Sequence, residues 1–126
     1  MTFEDSFNAW LRSSLSSAIP KSVRAFSFNL SEPAGESSHF GVELIGSPDF
    51  DIEDADWACE EVWAATPRML SIPAAFSTSS LETCLAKVKR LVLAALVDDA
   101  VGKTLKTRKG IAVGFIDGDL DVVWHQ

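Results

Sequence analysis

A chain of 126 residues, 47% of them hydrophobic, has the material for one folded domain around one core. Its net charge of −7 sets it against nucleic acid and anionic membrane surfaces, both of which repel such a field. The longest apolar run, Leu91–Val97, has seven residues before Asp98-Asp99, far short of the roughly 20 that a bilayer span needs.

The first element is an amphipathic helix from Phe3 to Ala18, with Phe3, Phe7, Trp10, Leu11 and Leu15 at helical spacing. Thr2 and Asp5 are placed to form a capping box, and Pro20 supplies the stop. Val23–Leu30 alternates, with Phe26, Phe28 and Leu30 on one face, and reads as a strand. Turn residues at 31–36 lead to a second alternating run, Phe40, Val42 and Leu44, with His39 and Glu43 on the opposite face. Asp49–Asp56 is too acidic for a core element and is expected as an exposed loop. A third strand is expected at Trp57–Ala65, with Trp57, Cys59, Glu61 and Trp63 on one face. Pro67 interrupts it, and Met69–Ile72 is expected as a short fourth strand, kept to an edge by Pro73.

The central helix is marked by Leu81, Cys84, Leu85, Val88, Leu91, Val92, Ala95 and Leu96 on one stripe. Ser79 and Glu82 are expected to cap it, with Lys87, Lys89 and Arg90 on its wet face. A helical turn follows at Ala100–Leu105. Ile111, Val113 and Phe115, then Asp117-Gly118, then Leu120, Val122 and Trp124 have the form of a hairpin. The expected fold is therefore α+β: residues 1–126 as a single domain, with one mixed or mainly antiparallel sheet of five to six strands. An N-terminal helix and a long central helix pack on that sheet.

No complete catalytic or metal-binding motif emerges. Asp117-Gly118-Asp119-Leu120-Asp121 alternates acids as calcium loops do, but its glycine is misplaced and the twelfth-position glutamate is missing. Glu60 and Glu61 beside Trp63 resemble a glycosidase pair, yet adjacent strand residues would face opposite ways. Gly102-Lys103-Thr104 resembles the end of a P-loop, but Val97 stands where the first glycine belongs. Cys59 and Cys84 form no CxxC unit and are expected reduced and mostly buried. The chain is accordingly expected to be no enzyme and to need no cofactor or metal.

Charge is unevenly laid out. Residues 31–67 hold ten acids and no Lys or Arg, residues 87–109 hold seven bases against two acids, and residues 110–126 hold three acids and no base. Within the first block, Asp49–Glu61 carries seven acids interleaved with Phe50, Trp57 and Trp63. A solvated acidic loop would account for that composition. So would a docking face, on which carboxylates steer a basic partner while aromatic side chains anchor it. The residues expected to make that contact are Asp49, Asp51, Glu53, Asp54, Asp56, Trp57, Glu60, Glu61 and Trp63, with Asp117, Asp119 and Asp121 from the C-terminal hairpin.

In three stretches the chain resembles the small acidic immunity proteins of bacterial toxin–immunity systems, such as those of contact-dependent growth inhibition. These are Asp54-Ala55-Asp56-Trp57-Ala58-Cys59-Glu60-Glu61-Val62-Trp63, the capped helix from Leu81, and the closing run from Gly114 to Trp124. The resemblance implies a cytoplasmic antitoxin that binds a cognate toxin domain one to one, often a nuclease, and blocks its active site. The acidic N-terminus, Met1-Thr2-Phe3-Glu4-Asp5, without a basic leader, accords with a cytoplasmic location. The free protein is expected to be monomeric, with neither nucleic acid nor membrane as partner. Two competing expectations remain. One is a non-catalytic adaptor or assembly subunit that uses a sheet edge or the Trp-bearing face. The other is a small hydrolase built on a carboxylate pair.

Overall fold

The computed structural model describes residues 2–32, 39–78, 80–116 and 118–126. Helix α1 (Phe3–Ser16) opens on the expected capping box. The Thr2 hydroxyl accepts from the Asp5 N–H at 3.2 Å, and the Asp5 carboxylate accepts from the Thr2 N–H at 3.3 Å. Phe7, Trp10, Leu11 and Leu15 face inward.

Strands β1 (Ala25–Ser31) and β2 (Phe40–Ser47) pair antiparallel, and β3 (Trp63–Ile72) extends the sheet beyond β2 as an edge strand. The short helix α2 (Ala74–Ser77), the long α3 (Leu81–Leu96) and α4 (Val101–Leu105) then carry the chain over one face of the sheet. It returns as β4 (Gly110–Phe115), parallel to β1, and ends in the antiparallel edge strand β5 (Leu120–His125). The order is β3-β2-β1-β4-β5, a mixed five-stranded α+β sheet.

The main core lies between this sheet and the helices. Phe26, Phe28 and Leu30 of β1, Val42 and Leu44 of β2, and Ile111 and Val113 of β4 meet Phe7, Leu11, Val88, Val92 and Leu105. The stripe expected on α3 is buried at Cys84, Val88, Val92, Ala95 and Leu96, while Leu81 remains exposed. Burial pushes the Cys84 thiol up to about 11, as an apolar site does to an ionisable group.

The structure corrects several local expectations. Residues 57–59 belong to a 3₁₀ turn (Ala55–Cys59), so the expected strand Trp57–Ala65 does not form as such; the strand starts at Trp63. It then continues through Pro67 to Ile72 as one strand, where two were expected. Pro67 is tolerated because β3 is an edge strand whose register against β2 shifts between the Ala64 and Met69 pairings, leaving the residues between them out of the ladder. The carbonyls of that irregular stretch find partners on α1: Trp10 Nε1–H donates to the Pro67 oxygen at 2.6 Å, and the Ser14 hydroxyl meets Thr66. The cap of α3 is Ser80, whose hydroxyl accepts from the Thr83 N–H at 3.3 Å; Ser79 lies outside the described residues. Cys59 is exposed rather than buried. Of the bases expected on the wet face of α3, Lys87 is half-buried and donates to the Phe76 carbonyl at 2.8 Å, while Lys89 pairs with Asp121 at the surface.

Candidate functional site

Among the described residues, no α-helix packs on the second face of the sheet. Its lower half is covered by the chain between β2 and β3, which leaves Ser47, runs out through the acidic residues and returns at Trp63. This acidic arm is clamped by its own aromatic residues. Trp57 is only 4% exposed and packs on Ala25 and Ala112, with Phe50 against it at 5.2 Å between ring centroids. Gly110 makes room for the clamp, because a Cβ at that position would run into the Phe50 ring. The buried Ser47 hydroxyl donates to the Trp57 carbonyl at 2.6 Å, and Val62 N–H donates to the Gly46 carbonyl at 2.9 Å.

Local hydrogen bonding fixes the shape of the arm further. Asp49, Asp51 and Asp54 each accept a backbone N–H one or two residues ahead, from Phe50, Glu53 and Asp56 respectively. Asp54 thereby caps the 3₁₀ turn. Each such aspartate uses one oxygen internally and leaves the rest of its charge to solvent. Asp49, Asp51, Asp54, Asp56 and Glu60 surround a shallow depression of about 160 Å³ beside Trp57. Glu53 is exposed on the same arm.

The upper half of this face is an open groove of about 390 Å³. Ala55, Asp56, Ala58 and Cys59 of the arm form one wall, Phe115, Ile116, Gly118 and Leu120 around the β4–β5 turn form the other, and Asn29, Glu43 and Ile45 lie at the floor. Asn29 and Glu43 are directly opposite in the β1–β2 register. They belong to a polar chain that crosses the sheet. The buried Ser27 hydroxyl donates to Asn29 Oδ1 at 2.6 Å, and Asn29 Nδ2 donates to Glu43 at 3.1 Å. Arg68 Nε donates to Glu43 at 3.0 Å, and its two terminal nitrogens bind both oxygens of Glu61. Hydrogen bonding from Arg68 holds the Glu61 carboxyl below its ordinary range, and the bond from Glu61 raises the guanidinium in turn.

The twelve expected contact residues are thus only partly gathered. Asp49, Asp51, Glu53, Asp54, Asp56, Glu60 and Glu61 share the arm, and of these Asp56 and Glu61 also line the groove. Trp57 and Trp63 are not exposed anchors: Trp57 holds the arm down, and Trp63 packs edge-on against Phe26 at the helix-covered core. Asp121 is tied to Lys89 of α3, away from the arm. Asp119 is exposed at the hairpin, and Asp117 lies outside the described residues. Asn29, Glu43 and Arg68 were missed. Asn29 and Glu43 were signalled only as polar residues facing outward on two alternating strands, which is ordinary for a sheet with one wet face, and Arg68, in the irregular stretch of β3, carried no such signal.

Among the described residues, no group of three or more His, Cys, Asp or Glu side chains is arranged to hold a metal ion, and no helix is long and apolar enough to cross a membrane. Comparison of the chain with protein-family models, with curated proteins and with solved structures returned no match.

Proposed function

We propose that this chain is a binding protein that captures a basic protein partner on its acidic arm, and that the partner is a cognate toxin domain, a nuclease by charge logic, neutralised by occlusion of its active site. The observation that carries the reading is the state of the arm's carboxylates. Of the seven acids from Asp49 to Glu61, only Glu61 has a cation within 4 Å among the described residues. The other six stand on a backbone clamped by Trp57, Phe50 and Ser47.

Fixed, uncompensated charge of one sign raises the encounter rate with an oppositely charged surface, and a preorganised arm loses little entropy on docking. A nuclease must present cations to its phosphodiester substrate, so a carboxylate row held at fixed spacing can occupy the same cleft. Glu61, which lines the groove with Asp56 and Glu43, is held as a carboxylate by Arg68, the form that pairs with a cationic partner.

The reading is tested by co-expression. The product of the reading frame adjoining this gene is expressed with and without the chain, and cell survival and co-purification are scored. Killing by the neighbour alone, rescue by this chain and a one-to-one complex are the expected results. A harmless neighbour that does not co-purify would remove the toxin partnership and put the assembly-subunit reading first.

A further inference from the structure

The groove has a built-in clue to what it receives. Two of the groove's acids are bound by Arg68 of the edge strand, 48% exposed, with Nε on Glu43 at 3.0 Å and Nη1 on Glu61 at 2.6 Å. One carboxylate takes the Nε–H and the other takes both terminal nitrogens of the same planar guanidinium, a cradle that a fork of N–H donors fills and an ammonium does not. The cradle is not neutralised by its occupant. Glu43, Asp56 and Glu61 bring three negative charges to the groove, and Arg68 returns one. Next to the carboxylates the lining turns apolar, at Ile45, Ala58 and Leu120. An acidic end beside an apolar channel matches a side chain with a methylene stem and a cationic head.

We propose that the groove seats one arginine side chain of the basic partner, whose guanidinium replaces that of Arg68 on Glu43 and Glu61. The inference rests on the reading of this chain as a binder of a basic protein, and names the part of the partner that is read. Arg68 is then the resident of the free state. Its exchange is easy because a half-exposed ion pair holds little net free energy against water. The incoming side chain gains what Arg68 lacks: burial of its stem along Ile45, Ala58 and Leu120, with the displaced Arg68 left hydrated at the rim. The residual negative charge of the groove favours the added cation. Lysine would present a point charge and engage one carboxylate at a time.

The test uses the full-length chain labelled with ¹⁵N and titrated with N-acetyl-arginine amide. Shifts are followed at the side-chain amide of Asn29 and at Arg68 Nε–H. N-acetyl-lysine amide and the uncharged N-acetyl-citrulline amide serve as comparators. Saturable shifts at Asn29 and Arg68 are expected with the arginine probe, at least about threefold weaker binding with lysine, and none with citrulline. Arg68→Ala vacates the cradle and is expected to tighten the arginine probe by about threefold, whereas Glu43→Gln is expected to lose it. Arg68 is an exposed edge residue, so its variant carries the test even if Glu43→Gln proves unstable. The proposal is overturned by an Arg68→Ala protein that shows no saturable shift. An equal response to citrulline, or shifts confined to residues 49–54, would overturn it as well. Failure of the small probe does not bear on toxin capture, and failure of toxin capture with the probe still bound would sink that reading alone.

Discussion

The two faces of the sheet are built to different specifications. On the helix-covered face Phe7, Leu11, Phe26, Phe28, Leu30 and Ile111 are fully buried, and the outward-pointing groups belong to the helices above them. On the other face the sheet itself presents Ser27, Asn29 and Glu43, and the apolar contacts shrink to a small cluster of Ala25, Trp57 and Ala112 with Phe50 beside it. One face holds the fold together. The other is thereby free to carry charge, and its small cluster serves to fix the arm that carries most of it.

That division is broken most severely from the helix side. Phe28→Ala opens a cavity in the main core and is expected to cost about 3–5 kcal/mol; urea unfolding followed by circular dichroism measures it, and a loss under about 1 kcal/mol would contradict the assignment of the core. Trp57→Ala should cost less, about 3 kcal/mol, at the lower end of what such truncations remove. Its diagnostic effect is local: amide exchange speeds up across residues 49–60 while α3 stays protected. Gly110→Ala pushes against the Phe50 ring and is expected to cost about 1–3 kcal/mol, with the same local signature.

Much of the helix-covered face was legible in the sequence, because periodicity reports directly on burial. The Phe7-Trp10-Leu11 stripe, the Phe26-Phe28-Leu30 alternation and the Val88-Val92 stripe all lie where the pattern puts them. The arm was legible in its exposure and its acidity but not in its conformation. Trp57, Cys59, Glu61 and Trp63 alternate like a strand, yet Asp54 caps a 3₁₀ turn over the first two, and an Asp ahead of an Asp-Trp pair was the available sign of it. The aromatic residues were expected to face a partner because composition does not say which surface a tryptophan covers. The groove was illegible for a further reason: Asn29, Glu43 and Arg68 are 14 and 25 residues apart, joined by register and by the irregular stretch of β3 around Pro67.

Smaller effects sharpen the contrast. Protonation acts on both faces in the same direction. Arg68 lowers Glu61 in the groove, and the N–H groups of Val101 and Ala100 lower Asp98 at the start of α4. A carboxyl whose folded pKa is depressed adds stability above its unfolded value and loses it as pH falls through the folded one. Stability should therefore decline as pH drops below the ordinary values of 4.5 for Glu61 and 3.8 for Asp98. Glu61→Gln should flatten the upper part of that decline by at most about 1 kcal/mol, since the pair is solvent-exposed. Thermal unfolding between pH 3 and pH 6, compared for the two proteins, is the check.

The smallest expected effect on stability accompanies the largest on function. A triple variant, Asp51→Asn, Glu53→Gln and Asp54→Asn, keeps the carbonyl acceptors that shape the arm and removes three charges. Its stability should stay within about 0.5 kcal/mol of the parent, as surface changes do. The decisive measurement is its association rate with the catalytically inactivated toxin domain from the adjoining reading frame, taken by stopped flow at low and high salt. The account predicts a parent rate that falls steeply as salt rises, and a variant that is slower at low salt and nearly indifferent to it. Equal rates for the two proteins, unchanged by salt, would contradict the claim that the acidic arm is what the partner meets first.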